Sequence, residues 1–318
     1  MTSAFTVGVV RPATDEDVNV FRNMVDSIDG WTQVFNQKQT SVFIKKTENT
    51  SIHMIKVRSI LSDIPAAVMY DVIHDPEYRR VWDKQMIEGY DICLVSPNTD
   101  IGYYSMRVFP PFNNRDFVTL RSWFNFDDTE YIVMNHSVFH ASCPPRKNHV
   151  RGLSYLSGFH IKQLGPTSSV FHFVSQCDPR GNIPAWAVNR CSQMVAPKSV
   201  AKLAKTARLY PEWKKTHSPN LKPWLHPEQH TLRPINWADV SESPDFVVSE
   251  IVEEAAVARN GVVDDTGEAS AAAGEAASGP NATEMSNVAE SNGSNLSSAD
   301  PLVNCGITVN GIPTGTEG

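Results

Sequence analysis

Asp178-Pro179-Arg180-Gly181-Asn182-Ile183-Pro184-Ala185-Trp186 separates two kinds of pattern in this chain. Upstream, strand-like runs cover residues 90–95, 101–108, 115–124, 130–137, 150–159 and 168–176. Turn clusters such as Ser96-Pro97-Asn98-Thr99 and Gly165-Pro166-Thr167 lie between them. Six such runs with short connections imply an antiparallel meander, not alternating parallel units. Downstream, Pro184 suits the first turn of a helix expected over about 184–210. There Val200, Leu203, Ala204 and Ala207 share one face, and Lys198, Lys202, Lys205 and Arg208 share the opposite one. Pro197 inside the run is expected to kink or divide that helix.

Working outward, Thr14-Asp15-Glu16-Asp17 reads as a capped helix start, with Val18, Phe21, Val25 and Ile28 at helical spacing until Gly30. Extended stretches follow at 32–35, 41–45 and 52–60. A helix restarts at Pro65, and Asp75-Pro76 ends it or begins a second short one containing Tyr78 and Trp82. Helices at both ends of a long antiparallel sheet make an α+β chain. A curved sheet gripping the terminal helix covers the concave face, and the pattern leaves open whether side chains or a ligand fill the space.

The tail is of another kind. Residues 241–318 hold 13 acidic residues against one basic, Arg259, and a single aromatic, Phe246. Such a stretch cannot bury enough apolar surface to offset the entropy of ordering, and it reads as a disordered acidic tail. The whole chain carries −7, so the first 240 residues carry about +5, a balance that suits anionic membranes or phosphate-bearing ligands. The expected organisation is a flexible stretch over 1–13, one domain over 14–216, an irregular Trp- and Pro-rich extension over 217–240 packed on that domain, and the tail.

Several function classes drop out. Five scattered cysteines (Cys93, Cys143, Cys177, Cys191, Cys305), no Cys-x-x-Cys, no leader pattern and no long apolar run read as a cytoplasmic protein with free thiols. The histidines lack metal-ligand spacing, and no nucleophile elbow, phosphate loop or dinucleotide fingerprint occurs, so neither metal nor enzyme is expected. Lys45-Lys46, Arg79-Arg80 and Lys214-Lys215 are isolated pairs, not the continuous stripe of a nucleic-acid binder.

Two segments concentrate charge among aromatics: His74-Asp75-Pro76-Glu77-Tyr78-Arg79-Arg80-Val81-Trp82-Asp83, and Asn113-Asn114-Arg115-Asp116-Phe117. Buried charges need partners. On a short helix Arg79 and Arg80 point in different directions, so one can face inward, toward a lipid phosphate or toward Asp75, Glu77, Asp83 or Asp116. Tyr104, Phe117 and Tyr155 fall on three separate strands, where they either fill a core or form a cage for a quaternary ammonium.

Tyr78, Arg79, Trp82 and Asp83, then Asn114-Arg115-Asp116-Phe117, then Pro179-x-Gly181-x-Ile183-Pro184-x-Trp186-x-Val188-Asn189 together resemble the START lipid-transfer family over about residues 14–216. Tyr210-Pro211-Glu212-Trp213-Lys214 and Lys222-Pro223-Trp224-Leu225-His226-Pro227 are similar to its phosphatidylcholine-transfer-like branch. The resemblance implies a helix-grip fold: a curved antiparallel sheet closed by the long C-terminal helix around a tunnel for one lipid, carried as cargo without a cofactor. It puts Arg79 at the phosphate and Tyr104, Phe117 and Tyr155 at the choline cage. Tyr104 stands for a tryptophan, Phe117 for a tyrosine and Ile73 for a further phosphate-side tyrosine, which leaves room for phosphatidylethanolamine. Asp83, Arg115 and Asp116 are then assigned to ion pairs fastening helix to sheet. Lys198, Lys202, Lys205 and Arg208 are assigned to the lid and its reversible, peripheral membrane contact. The expected protein is a monomeric phospholipid carrier, with a lipid-gated interaction protein as the alternative. Ser243 and Ser297 are candidate sites for a kinase acting on the tail.

Overall fold

The computed structural model describes residues 5–241. Ser243, Ser297 and almost the whole acidic tail lie outside them. Helix α1 (Asp15–Asp26) begins with a reciprocal cap, in which Asp17 N–H donates to the Thr14 side chain and Thr14 N–H donates to the Asp17 carboxylate. Three strands follow: β1 (Thr32–Gln37), β2 (Thr40–Lys45) and β3 (Met54–Leu61). Helices α2 (Ala66–His74) and α3 (Pro76–Trp82) are separated at Asp75, whose carboxylate caps α3 by accepting from Glu77 N–H and Tyr78 N–H.

The meander is β4 (Met86–Ser96), β5 (Thr99–Met106), β6 (Asn114–Phe126), β7 (Glu130–Ser137), β10 (Leu153–Gly165) and β11 (Ser168–Asp178), with short β8 (Phe139–His140) and β9 (His149–Arg151) inserted. The sheet runs β1-β2-β3-β11-β10-β7-β6-β5-β4, and β9 pairs with β6 in parallel. Antiparallel pairing of β3 with β11 joins the early strands to the meander. Helix α4 (Ala185–Ala207), then α5 (Tyr210–Lys214), closes the domain. α4 continues through Pro197, so the expected division of this helix is not found.

Each face of the sheet has its own cover. Inside, Val42, Val57, Trp123, Val133, Phe171 and Phe173 pack with Met69 and Tyr70 of α2 and with Val200, Leu203, Ala204 and Ala207 of α4. Outside, Phe21 and Val25 of α1 pack on Ile132, Met134, Leu156 and Val174. Gly158 admits α1 this closely, because a Cβ there would lie 2.6 Å from the Phe21 ring and 2.8 Å from the Val133 carbonyl oxygen.

Residues 5–13, expected to be flexible, pack on the sheet: Phe5 is buried, Gly8 N–H donates to the Ser137 carbonyl, and the Val9 carbonyl meets His136 Nε2. The extension after α5 is pinned to α2, where Asp71 accepts from Trp224 Nε1 at 2.8 Å and from Lys222 Nζ at 2.7 Å. Arg233 and Ile235 then bond through backbone to Leu94 of edge strand β4, and β12 (Val240–Ser241) pairs with β8. Covering an edge strand in this way blocks its pairing with other chains.

An ion-pair chain also ties α1 to the sheet. Glu130 accepts from Arg22 Nε at 2.8 Å and lies 2.7 Å from His160 Nε2, while His160 and His172 approach Nδ1 to Nδ1 at 3.4 Å. Burial, with the charges of neighbouring His160, Arg58 and Lys56, pushes His172 down to about 3. The unfolded chain takes this proton below its ordinary value near 6.5 and the folded one does not, so stability falls as pH drops from about 6.5 toward 3. Urea titrations across that window should show H172Q with a shallower decline, by up to one proton's worth of slope. G158A should cost about 1–3 kcal/mol in the same titrations at pH 7, from overpacking against Phe21.

Candidate functional site

Helix α3 is held over one end of the sheet from two sides. Besides capping α3, the Asp75 carboxylate accepts from Lys214 Nζ at 2.7 Å and Tyr210 Oη at 3.0 Å. At the other end Asp83 is buried and accepts from Met86 N–H, from Tyr104 Oη at 2.9 Å and from Arg79 Nε at 3.3 Å. Arg79 therefore turns inward, its guanidinium 4.7 Å above the Tyr104 ring and 5.5 Å from that of Trp82, with 35% of its side chain accessible. Arg80, one residue on, is exposed.

Tyr104 and Phe117 stand opposite one another across β5 and β6. Gly152 makes room for Phe117, since a Cβ at 152 would collide with its ring. Tyr155 sits at a register shift in β10, with Thr50 of the loop between β2 and β3 near its hydroxyl. Arg79, Asp83, Tyr104 and Phe117 thus form one contiguous group, and Tyr155 stands on a different strand, beside the 46–53 loop.

The other expected fasteners bind elsewhere. Asp116 is gripped by buried Arg151, Nε to Oδ1 at 2.9 Å and Nη2 to Oδ2 at 3.0 Å, and accepts from Tyr103 Oη at 3.1 Å. Arg115 donates to the backbone carbonyls of Asn113, Pro179 and Arg180, the last at 3.0 Å. Asp83 alone of the three joins helix to sheet as expected. Asp116 braces strands, and Arg115 holds the turn that launches α4. Arg151 and Gly152 were missed by sequence reasoning, and nothing in their neighbours' pattern marked them.

Register defines the inner face row by row. Asp100, Arg121, Asn135, Ser157 and Ser175 stand opposite one another on five adjacent strands, a polar row across the sheet. Arg121 Nε donates to Asp100 at 3.1 Å, and the Ser157 and Ser175 hydroxyls meet at 2.8 Å. Burial pushes the Asp100 carboxyl up to about 6 against the pull of Arg121. The next row is apolar: Trp123, Val133, Phe159, Phe173, Val57 and Val42.

Tyr104, Phe117, Thr119, Arg121, Asn135, Tyr155, Ser157 and Phe159 all face inward from central strands yet keep accessible surface, whereas Tyr103, Val118 and Leu120 facing outward are buried. This part of the inner face therefore presents aromatics and a few polar groups with surface still accessible, the mix of groups that lines small-molecule sites. On the lid, Lys198 and Lys205 are exposed and Lys202 is half-buried, its ammonium pushed down by burial and by Lys84. Arg208 is exposed but engaged by Asp63 at 2.6 and 2.9 Å. Among the described residues no group of His, Cys, Asp and Glu could hold a metal ion, and no helix is long and apolar enough to cross a membrane.

Comparison with known proteins places this architecture. The START domain model matches residues 13–212. START domain-containing protein 10 of Homo sapiens is 42% identical over 253 residues, 79% of this chain and 86% of that one. The phosphatidylcholine transfer protein of Mus musculus is 22% identical over 183 residues, 57% and 85% of the two chains. The crystal structure of human STARD10 superposes with a TM-score of 0.71 at 42% identity, covering 74% of this chain and 96% of that one. Helix-grip architecture and matched sequence agree: the chain belongs to the START-domain family, a non-enzymatic family of lipid-binding proteins.

Proposed function

We propose that this protein carries one glycerophospholipid, phosphatidylcholine or phosphatidylethanolamine, between membranes. The observation that carries the reading is the inward guanidinium of Arg79 at the mouth of an inner face whose side chains remain accessible. A phosphate there accepts charge-assisted hydrogen bonds from Arg79. Tyr104, Phe117 and Tyr155 offer aromatic faces to the ammonium end of the head group, where cation–π attraction contributes about 0.5–2 kcal/mol. The apolar row through Phe159 and Phe173 suits acyl chains. A carrier is needed because each buried methylene favours the apolar phase by about 0.8 kcal/mol, which makes unaided passage of a two-chain lipid through water very slow. The similarity to a phosphatidylcholine transfer protein supports the same cargo class.

Membrane contact is assigned to the outward face of α4. Trp186, Arg190, Met194 and Lys198 recur every four residues along it, and all are exposed. An aromatic and basic stripe of this kind suits the interface of an anionic bilayer, as does the positive charge of the body. Phosphate on Ser243 or Ser297 would add negative charge to a tail that already repels such a surface.

Native mass spectrometry of the purified chain should find one bound glycerophospholipid. R79A and R79K should each retain far less of it, the affinity falling about 10–100-fold as charge-assisted bonds worth about 1.5–3 kcal/mol are lost or misaligned. Sterol in the wild type, or full retention by both variants, would sink the assignment. Removing residues 242–318 should tighten binding to phosphatidylserine-containing vesicles at low salt and have little effect at high salt, where surface charge is screened. Sedimentation with vesicles reads this directly, and equal binding at low salt would refute the electrostatic role of the tail.

A further inference from the structure

Helix α4 is anchored unevenly. Its second half buries Ala196, Ser199, Val200, Leu203, Ala204 and Ala207, and Tyr78 Oη donates to the Thr206 carbonyl at 2.6 Å. Before position 196 only Val188 is buried. The helix starts at Pro184 with no side-chain cap, and Pro197 has no N–H to give the Gln193 carbonyl. Ahead of the helix the chain is fixed by Arg115 at the Pro179 and Arg180 carbonyls. The first three turns of α4 thus form a flap between two firm points.

One polar contact spans from this flap to the rim of the sheet. Asn189 Oδ1 accepts from His53 N–H at 2.8 Å, and Asn189 Nδ2 donates to the Ser51 carbonyl at 2.9 Å. The two backbone groups fix the orientation of the carboxamide, which docks as a paired strand would. The rim loop, residues 46–53, is itself held from beneath. Gln176 Nε2 donates to Thr47 Oγ1 at 2.6 Å and to the Ile52 carbonyl at 2.9 Å. The end of β11, the rim loop and the flap are therefore joined in series.

We propose that Asn189 is the latch of the lid. Cargo passes through the seam between the first turns of α4 and the 46–53 loop, and the Asn189 carboxamide holds that seam shut in water. Trp186, 74% exposed, and Met194, 46% exposed, lie on the outer side of the same turns, so a bilayer that takes them up pulls on the latched segment. Asn189 acts as a positioning residue, setting when cargo exchanges without touching the cargo. This rests on the carrier reading above and deepens it.

Amide hydrogen exchange, followed by mass spectrometry on the full chain, tests the latch without reference to any lipid. N189A should exchange about tenfold faster over residues 183–195 and 47–53, the scale expected for losing two hydrogen bonds. Its urea midpoint should stay near the wild-type value, and fluorescent phosphatidylcholine should move between vesicles faster. N189D retains the acceptor for His53 N–H and loses the donor to Ser51, so it should fall between the two. That graded variant serves if N189A fails to fold. Unchanged protection at 183–195 in the variants, or loosening at residues 107–113 instead, would overturn the latch. An empty wild-type protein with the exchange result intact would count against the carrier and leave the latch standing.

Discussion

The grip of Arg115 on the backbone at Pro179 and Arg180 is the contact on which the rest of the site depends. Arg115 is buried at the start of β6, and its guanidinium spans to the turn in which Arg180 and Gly181 take left-handed backbone conformations. A buried arginine must satisfy its donors, and carbonyls at the end of β11 are the acceptors within reach. The result is that the last strand and the first turn of the lid cannot shift independently. Next to it, the doubly bonded Asp116–Arg151 pair fixes β6 against β9. Breaking such a buried pair is costly, about 3–5 kcal/mol, because the remaining charge has nowhere to go. Phe117 follows directly, and its position over Gly152 is inherited from these two clamps.

Uneven cover of the inner face is the second constraint. A sheet face this apolar has to be covered, and α2 with the second half of α4 does so by direct packing. The first half of α4 buries only Val188 and meets the rim loop through Asn189, while inner-face side chains such as Tyr104, Arg121 and Phe159 keep accessible surface. The polar row from Asp100 to Ser175 lies on that face, between the Tyr104–Phe117 pair and the fully apolar row behind it. Arg121 pairs with Asp100, Ser157 with Ser175, and Asn135 Oδ1 accepts from Ser154 Oγ at 3.3 Å, so each member of the row has a polar partner on the sheet.

Much of this was legible in the sequence because it is local. Strand-like runs bounded by turn clusters marked all six strands of the meander, Thr14 and Asp17 marked the start of α1, and Pro184 marked the start of α4. What was not legible depends on distant partners. Nothing in residues 52–60 says that they pair with β11, and a three-residue strand such as His149–Arg151 has too few positions to show a period. Phe5 packs from a stretch that, read alone, looks like loop, and although the Trp- and Pro-rich extension was expected on the domain, nothing local names Asp71 as the partner of Trp224. The segment around Arg79 and Arg80 stood out because it sets charge among aromatics, and the family resemblance, not the local pattern, chose Arg79 of the two; Arg151 stands among Pro, Lys, Asn and His and gives no such sign. At Pro197, where a kink or a division was expected, the helix is not divided, and Val200, Leu203 and Ala207 on its far side bury fully.

The arrangement at Arg79 also bears on how a carrier can both hold and release. Its guanidinium rests on the ring of Tyr104 and on Asp83, and Tyr104 bonds to the same carboxylate. Two groups expected to meet a head group, Arg79 and Tyr104, are therefore satisfied by each other and by Asp83. On the proposed reading, a phosphate arriving at Arg79 exchanges one set of charge-assisted contacts for another, and the Tyr104 face covered by Arg79 becomes available to the ammonium only as Arg79 turns toward the phosphate. Binding at the two ends of the head group is then coupled through a single side chain. Because departure restores the Arg79–Asp83–Tyr104 contacts, the Arg79 guanidinium has an anionic partner at both stages, and the net affinity is the difference between two sets of interactions. A site built this way favours exchange over permanent retention, which is what carrying a lipid between membranes requires.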